Sequence, residues 1–302
     1  MRFNKIFILG AGAIGSVYGA LLSRRNDVTL IGNKAHTNIV NSTGLSISGS
    51  LNAVFNLKAK SEIREIPEST LIILTAKAYD SATAIERIKK LIRKDTVILI
   101  LQNGLGNEEV VRSIVGDEIK ILRGITMMAA EFFEPGKIKF WRGETIIEKD
   151  KIAETIAEIF NECALKTRLS NDIKKEVWNK LIVNCVINPL TALFHIRNCE
   201  IAADSLKTVR NGILRECIEV GKAEGMTFAL GLEEKINKEI VDYTNFSSMY
   251  QDIMKGKKTE IDFLNGRIVK LGRQHRIPTP INETIACLIK FKEEKHELSR
   301  KN

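Results

Sequence analysis

The sequence predicts an α/β N-terminal domain followed by an all-α C-terminal domain. Three observations carry that prediction. Short, wholly apolar runs (IFIL at 6–9, VTLIG at 28–32, LIILT at 71–75, TVILIL at 96–101) are interspersed with helical patterns. Strands that are apolar throughout are buried on both faces, so the alternation implies a parallel sheet covered by helices. Second, GAGAIG at 10–15 sits between the first run and a helical pattern from Ile14 to Arg25, which reads as strand, tight turn, helix. Third, the texture changes beyond Asp150, and after a helix over 151–163 and a short strand-like KTRL the chain is almost wholly helical.

The remaining elements follow in order. GLSISGSLNAVFNLKAK at 44–60 alternates around central glycines, as an extended hairpin excursion does, and SATAIERIKKLIRK at 81–94 is an amphipathic helix. KILRGIT at 120–126 and KIKFWRGETIIE at 137–148 are expected to continue the sheet as antiparallel strands. The boundary falls near Asn171, giving domains over 1–170 and 171–302 with a cleft between them as the natural ligand site. A chain of 302 residues is long for one core and comfortable for two.

Composition narrows the function classes. Apolar content of 44% with 27% charged residues is that of a soluble globular protein, with disorder expected only among the last dozen residues. The five cysteines are widely spaced with no C-x-x-C pair, so neither a disulfide framework nor a metal site is expected. The net charge of +9 raises nucleic acid as a partner, but the basic residues alternate with acids and form no block, so none is expected. The glycines at 10, 12, 15 and 19 argue against a signal peptide, and no other stretch approaches membrane-spanning length. The reading is a cytoplasmic protein with no membrane partner.

GAGAIG matches the fingerprint of a Rossmann-type dinucleotide-binding domain: Gly10 for the tight turn, Gly12 for close approach of a pyrophosphate, Gly15 for helix–strand packing. Ala11, Ala13 and Ile14 complete the turn, whose helix N-terminus faces the phosphate charge. An NAD site usually has an acid about 20 residues on. Here the second strand ends in Gly32, Asn33 and Lys34 instead, and Lys34 and His36 can meet a 2′-phosphate. NADPH is therefore expected, with NADH as the alternative through Asn33. Lys77 and Asn103 follow the third and fourth strands, where ligands of such sheets gather.

KLIVNCVINPL at 180–190 places Lys180, Asn184 and Asn188 four residues apart in an apolar helix. That spacing makes one polar stripe. With flanks too apolar for water, the stripe is expected to face a polar cleft, and Pro189 to kink or break the helix there.

Together, GAGAIG, TAKAYD at 75–80, QNG at 102–104, WNKLIVNCVINPLTAL at 178–193, SSMYQDIMKGKKTEIDFLNG at 247–266 and IPTPIN at 277–282 make the sequence resemble the ketopantoate reductase family. The resemblance spans both domains in order. It implies nicotinamide-dependent reduction of 2-dehydropantoate to (R)-pantoate, a step toward pantothenate and coenzyme A. It also implies residue roles: Lys180 as catalytic general acid, Asn184, Asn188 and Ser248 at substrate-binding positions, and Glu260 as the acid contacting the substrate hydroxyl. Lys77 and Asn103 match positions near the nicotinamide and reacting centre. Members that prefer NADPH often carry arginine after the second strand, where this chain has Asn33. Competing readings are a related reductase acting on another 2-keto acid and a non-catalytic dinucleotide-binding redox sensor. Apolar helical surface in the second domain suits a homodimer.

Overall fold

The computed structural model describes residues 2–301, with side chains described through Lys295. The expectation of disorder in the last dozen residues falls partly outside the described side chains. The chain divides into two compact units: residues up to Gln102 with Gly106–Glu176 form one, and Asn103–Leu105 with the chain from Val177 onward form the other.

The first unit opens with β1 (Lys5–Leu9), α1 (Ala13–Leu22), β2 (Val28–Ile31) and α2 (Lys34–Thr43). β3 (Leu45–Gly49), β4 (Ala53–Phe55) and β5 (Lys58–Lys60) follow, then β6 (Thr70–Leu74), α3 (Ser81–Ile88), β7 (Val97–Ile100), α4 (Asn107–Val115) and β8 (Lys120–Thr126). The unit closes with β9 (Ala129–Glu134), β10 (Lys137–Trp141), β11 (Thr145–Glu148), α5 (Lys151–Glu162) and β12 (Thr167–Ser170). Its main sheet has the order β12-β11-β8-β7-β6-β1-β2-β5. β1 pairs in parallel with both β2 and β6, so the order reverses beside β1 and the loops after β1 and β6 lie at the switch point. Ile6, Ile8, Leu71, Ile73 and Leu99 pack on the α1 side, and Ile72, Leu74, Ile98 and Ile100 form the core under α3 and α4.

Two strand expectations need correction. β8 runs parallel to β7, because α4 intervenes as a crossover, and only β11 is antiparallel to it. The sequence reading passed over α4, NEEVVRSIV, although Val110, Val111, Ile114 and Val115 have helical spacing and Gly116 follows as a stop. β9 and β10 leave the main sheet for a second one, ordered β4-β3-β10-β9, that includes the predicted hairpin. The half-exposed alternation of β10 fits a sheet with one wetted face.

The second unit takes in most of α6 (Ile173–Phe194), then α7 (Lys207–Ala223), α8 (Leu232–Glu239), α9 (Ser248–Met254), α10 (Asn265–His275) and α11 (Pro280–Lys301). Trp178, Leu181, Ile182, Cys185 and Val186 of α6 lie at its core. By length and composition α6 meets the test for a membrane span, contrary to expectation, but 67% of that stretch is buried within the protein. Pro189 does not break it.

Candidate functional site

In the first unit the loops after β1, β6 and β7 are tied together. Gly10 has φ +116°, and a Cβ there would lie 2.1 Å from the Ala76 backbone nitrogen, so only glycine fits. Thr75 Oγ1 donates to the Gly10 carbonyl at 2.8 Å. Gln102 Nε2 donates to the Ala76 carbonyl at 2.6 Å, and the Arg123 guanidinium to the Gln102 carbonyl at 2.9 Å. Arg123 is buried in β8 and pairs with Glu108 at 3.3 Å. Burial pushes its pKa down, while Glu108, Glu109 and Glu148 act in the opposite direction. A charged residue within the apolar run KILRGIT is a signal that sequence reasoning passed over: a buried charge has to be paired, and this one braces the loop edge.

Gly12 N-caps α1 with no side chain over the helix end, and a Cβ built on it would meet nothing within 4 Å. The amides of Ala13, Ile14 and Gly15 belong to the first turn, where backbone donors have no partner within the helix. This is a cradle with room for a pyrophosphate and dipole polarity to hold it. Asn33 is exposed and N-caps α2, its Oδ1 accepting from the His36 backbone at 2.9 Å, and Lys34 is the exposed first residue of that helix. No acid lies in its first turn. Lys77 stands half-buried just beyond β6, at the start of a short 3₁₀ turn.

His36 does not belong with them. It is fully buried, and its Nδ1 accepts from the Gly136 backbone at 3.0 Å, which leaves the proton on Nε2 to donate to Ser16 Oγ at 3.1 Å. Both ring nitrogens are used inside the core, and burial lowers the pKa. The ring is a neutral structural link between α1, α2 and the β9–β10 turn, not a ligand for a 2′-phosphate.

In the second unit, Lys180 and Asn184 are half-buried and Asn188 is buried, on successive turns of α6. Pro189 cannot donate to the Cys185 carbonyl four residues back. The Asn265 side chain does so instead, at 2.9 Å. Thr191 Oγ1 donates back to the Ile187 carbonyl at 2.8 Å and meets Ser247 Oγ at 2.7 Å. Ser247 in turn N-caps α9, accepting from the Tyr250 backbone at 3.0 Å. Two hydroxyls thus clamp the start of α9, where Ser248 sits, to the turn of α6 that carries Asn188.

Glu260 is 7% exposed, in a segment pinned on both sides by α11. The Thr259 backbone donates to Glu293 at 2.6 Å, and Lys290 pairs with Asp262 at 2.6 Å. Asn103, half-buried, clusters with this unit; its neighbour Gly104, at φ +83°, lies so close to Phe263 that a Cβ would come within 2.5 Å of the Phe263 carbonyl. The second unit therefore carries Lys180, Asn184, Asn188, Ser248, Glu260 and Asn103, and its elements α6, α9, α10 and α11 are linked by the contacts above. Sequence reasoning missed Asn265, Asn282, Thr191 and Ser247 as individuals, although all lie inside the quoted motifs.

Known proteins resemble the chain along its whole length. Residues 6–149 match the family described as Ketopantoate reductase PanE/ApbA, and residues 172–293 its C-terminal part. A 2-dehydropantoate 2-reductase of Pyrococcus horikoshii is 37% identical over 96% of this chain and 97% of its own, and one of Archaeoglobus fulgidus is 32% identical over 96% and 98%. Among solved structures, a PanE/ApbA family ketopantoate reductase from Ralstonia eutropha JMP134 superposes with a TM-score of 0.91 at 30% identity, covering 97% of this chain and 99% of that one. D-mandelate dehydrogenase, solved with NADH and anilino(oxo)acetate, gives 0.89 at 27% identity with the same coverage. A cradle suited to a dinucleotide, set in a chain that matches these relatives from end to end, makes this protein an oxidoreductase that works with a nicotinamide dinucleotide and belongs to the ketopantoate reductase family.

Proposed function

We propose that this enzyme reduces 2-dehydropantoate to (R)-pantoate with NADPH, with Lys180 as the general acid, in the route to pantothenate and coenzyme A. The observation that carries the reading is the α6 stripe, in which Lys180, Asn184 and Asn188 are withdrawn from solvent on successive turns of one helix. The first-turn amides of α1 would hold the pyrophosphate, and Asn33 and Lys34 the adenosine ribose and its 2′-phosphate. A nicotinamide bound there would supply the hydride to the keto carbon.

As negative charge grows on the keto oxygen, the Lys180 ammonium stabilises it and delivers the proton. Asn184, Asn188 and Ser248 hold the substrate's polar groups, and Asn103 and Lys77 serve the region of the reacting centre. Glu260 accepts a hydrogen bond from the substrate hydroxyl and favours the protonated form of Lys180. Binding domain and substrate domain correspond to the α/β and helical parts of the chain. The end-to-end match to 2-dehydropantoate 2-reductases supports this substrate over that of D-mandelate dehydrogenase.

Lys180→Ala tests the assignment. Turnover is expected to fall by roughly two to four powers of ten, the contribution of general acid catalysis, with NADPH affinity little changed. A variant with near-parent turnover removes Lys180 from the chemistry.

A further inference from the structure

A buried polar relay crosses the second unit. Glu216 of α7 accepts from the backbone of Ile281 and Asn282 at 2.8 Å each and from Asn282 Nδ2 at 2.7 Å. A carboxylate facing those amides can only accept, so the Asn282 amide group turns toward Glu216 and its Oδ1 turns away. That oxygen accepts from Asn265 Nδ2 at 2.9 Å, and the same nitrogen donates to the Cys185 carbonyl. Both protons of the Asn265 amide are thereby assigned.

We propose that Asn265 is a positioning residue for the reduction: by donating to the carbonyl that Pro189 leaves open, it ties the segment carrying Glu260 to the helix carrying Lys180, Asn184 and Asn188. The inference rests on the site assignment above. Cys185 lies between Asn184 and Asn188, and Asn265 opens α10 only five residues after Glu260, across a single 3₁₀ turn over Ile261–Phe263. One amide therefore joins the two elements that carry the proton donor and the carboxylate.

The arrangement is not one that packing alone would choose. Asn265 is 0% exposed, and its Oδ1 is buried with no partner among the described residues. Such an orphan carries a desolvation penalty that an apolar side chain of similar size would avoid. What the amide contributes lies on its donor side. Substituting Pro189 by alanine would restore a backbone donor to the Cys185 carbonyl, which makes the two positions testable as a pair.

The experiment measures steady-state kinetics with 2-dehydropantoate and NADPH for the full-length parent, Asn265→Ala, Pro189→Ala, the double variant and a Lys180→Ala control. Asn265→Ala is expected to lower kcat by roughly ten- to a hundredfold, as a misplacement of about 1 Å does, while KM for NADPH stays within about twofold. In the Pro189→Ala background the loss shrinks by about threefold or more, because the carbonyl no longer depends on Asn265. Asn265→Ala turnover within about threefold of parent, or an equal loss in both backgrounds, overturns the proposal. Asn265→Leu, which keeps the volume and deletes both polar atoms, is read by the same criteria if the alanine variant does not fold. A Lys180→Ala control with parent turnover refutes the site assignment instead, so the two failures are distinct.

Discussion

Glu260 shows how far a single residue was legible. Its proposed role rests on resemblance, while its burial and the two anchors from α11 on its segment are visible only in the fold. On the function proposed, Glu260 accepts from the substrate hydroxyl, a bond that an analogue without the hydroxyl cannot make. Glu260→Ala should therefore narrow the preference for 2-dehydropantoate over 3-methyl-2-oxobutanoate, read as the ratio of kcat/KM values; an unchanged ratio would assign hydroxyl recognition elsewhere. His36 was misread because a histidine two residues beyond an exposed lysine looks like a surface group, whereas the helix turns it into the core. Burial holds its folded-state pKa below the ordinary 6.5. The unfolded chain then takes up a proton that the folded chain refuses, so stability is complete above about 6.5 and declines below it, by up to about 1.4 kcal/mol per pH unit down to the folded-state pKa. Urea midpoints should fall between pH 7 and pH 5 in the parent more than in His36→Gln, and equal falls would contradict this.

At the scale of elements, the proposed preference for NADPH rests on α2. Its exposed first residue is Lys34, its cap is Asn33 and its first turn holds no acid, so nothing there accepts from a 2′-hydroxyl as a carboxylate would. The Asn33 oxygen is already committed to the His36 backbone. kcat/KM with NADPH should exceed that with NADH, and Lys34→Ala should reduce the advantage; a parent preference for NADH would refute the cofactor assignment. α6 was legible as a polar stripe on an apolar helix because periodicity survives burial. Its continuity through Pro189 was not, because the compensating donor, Asn265, lies 76 positions on in the sequence. Strand direction failed at β8 for a different reason: the short α4 was passed over, and it is the crossover that makes β8 parallel to β7.

Across the whole molecule, the α/β and all-α halves were legible because each has a distinct hydrophobic texture. The glycine turn stood out by its spacing after an apolar run, and two of its glycines, Gly10 and Gly15, sit where a Cβ would collide with backbone. Less visible was the bracing within each unit: Arg123 under the strand-end loops of the first, and the Thr191–Ser247 clamp and the Glu216–Asn282–Asn265 relay of the second, each join residues distant in sequence through hydrogen bonds that leave no periodic trace. On the function proposed, these parts serve reduction of a hydroxyl-bearing 2-keto acid. The direct measurement is kcat/KM of the parent enzyme with NADPH on 2-dehydropantoate and on 3-methyl-2-oxobutanoate. A site built around the hydroxyl predicts a large preference for 2-dehydropantoate, up to roughly four to five powers of ten, whereas equal efficiency on the two compounds, or activity on neither, would contradict it.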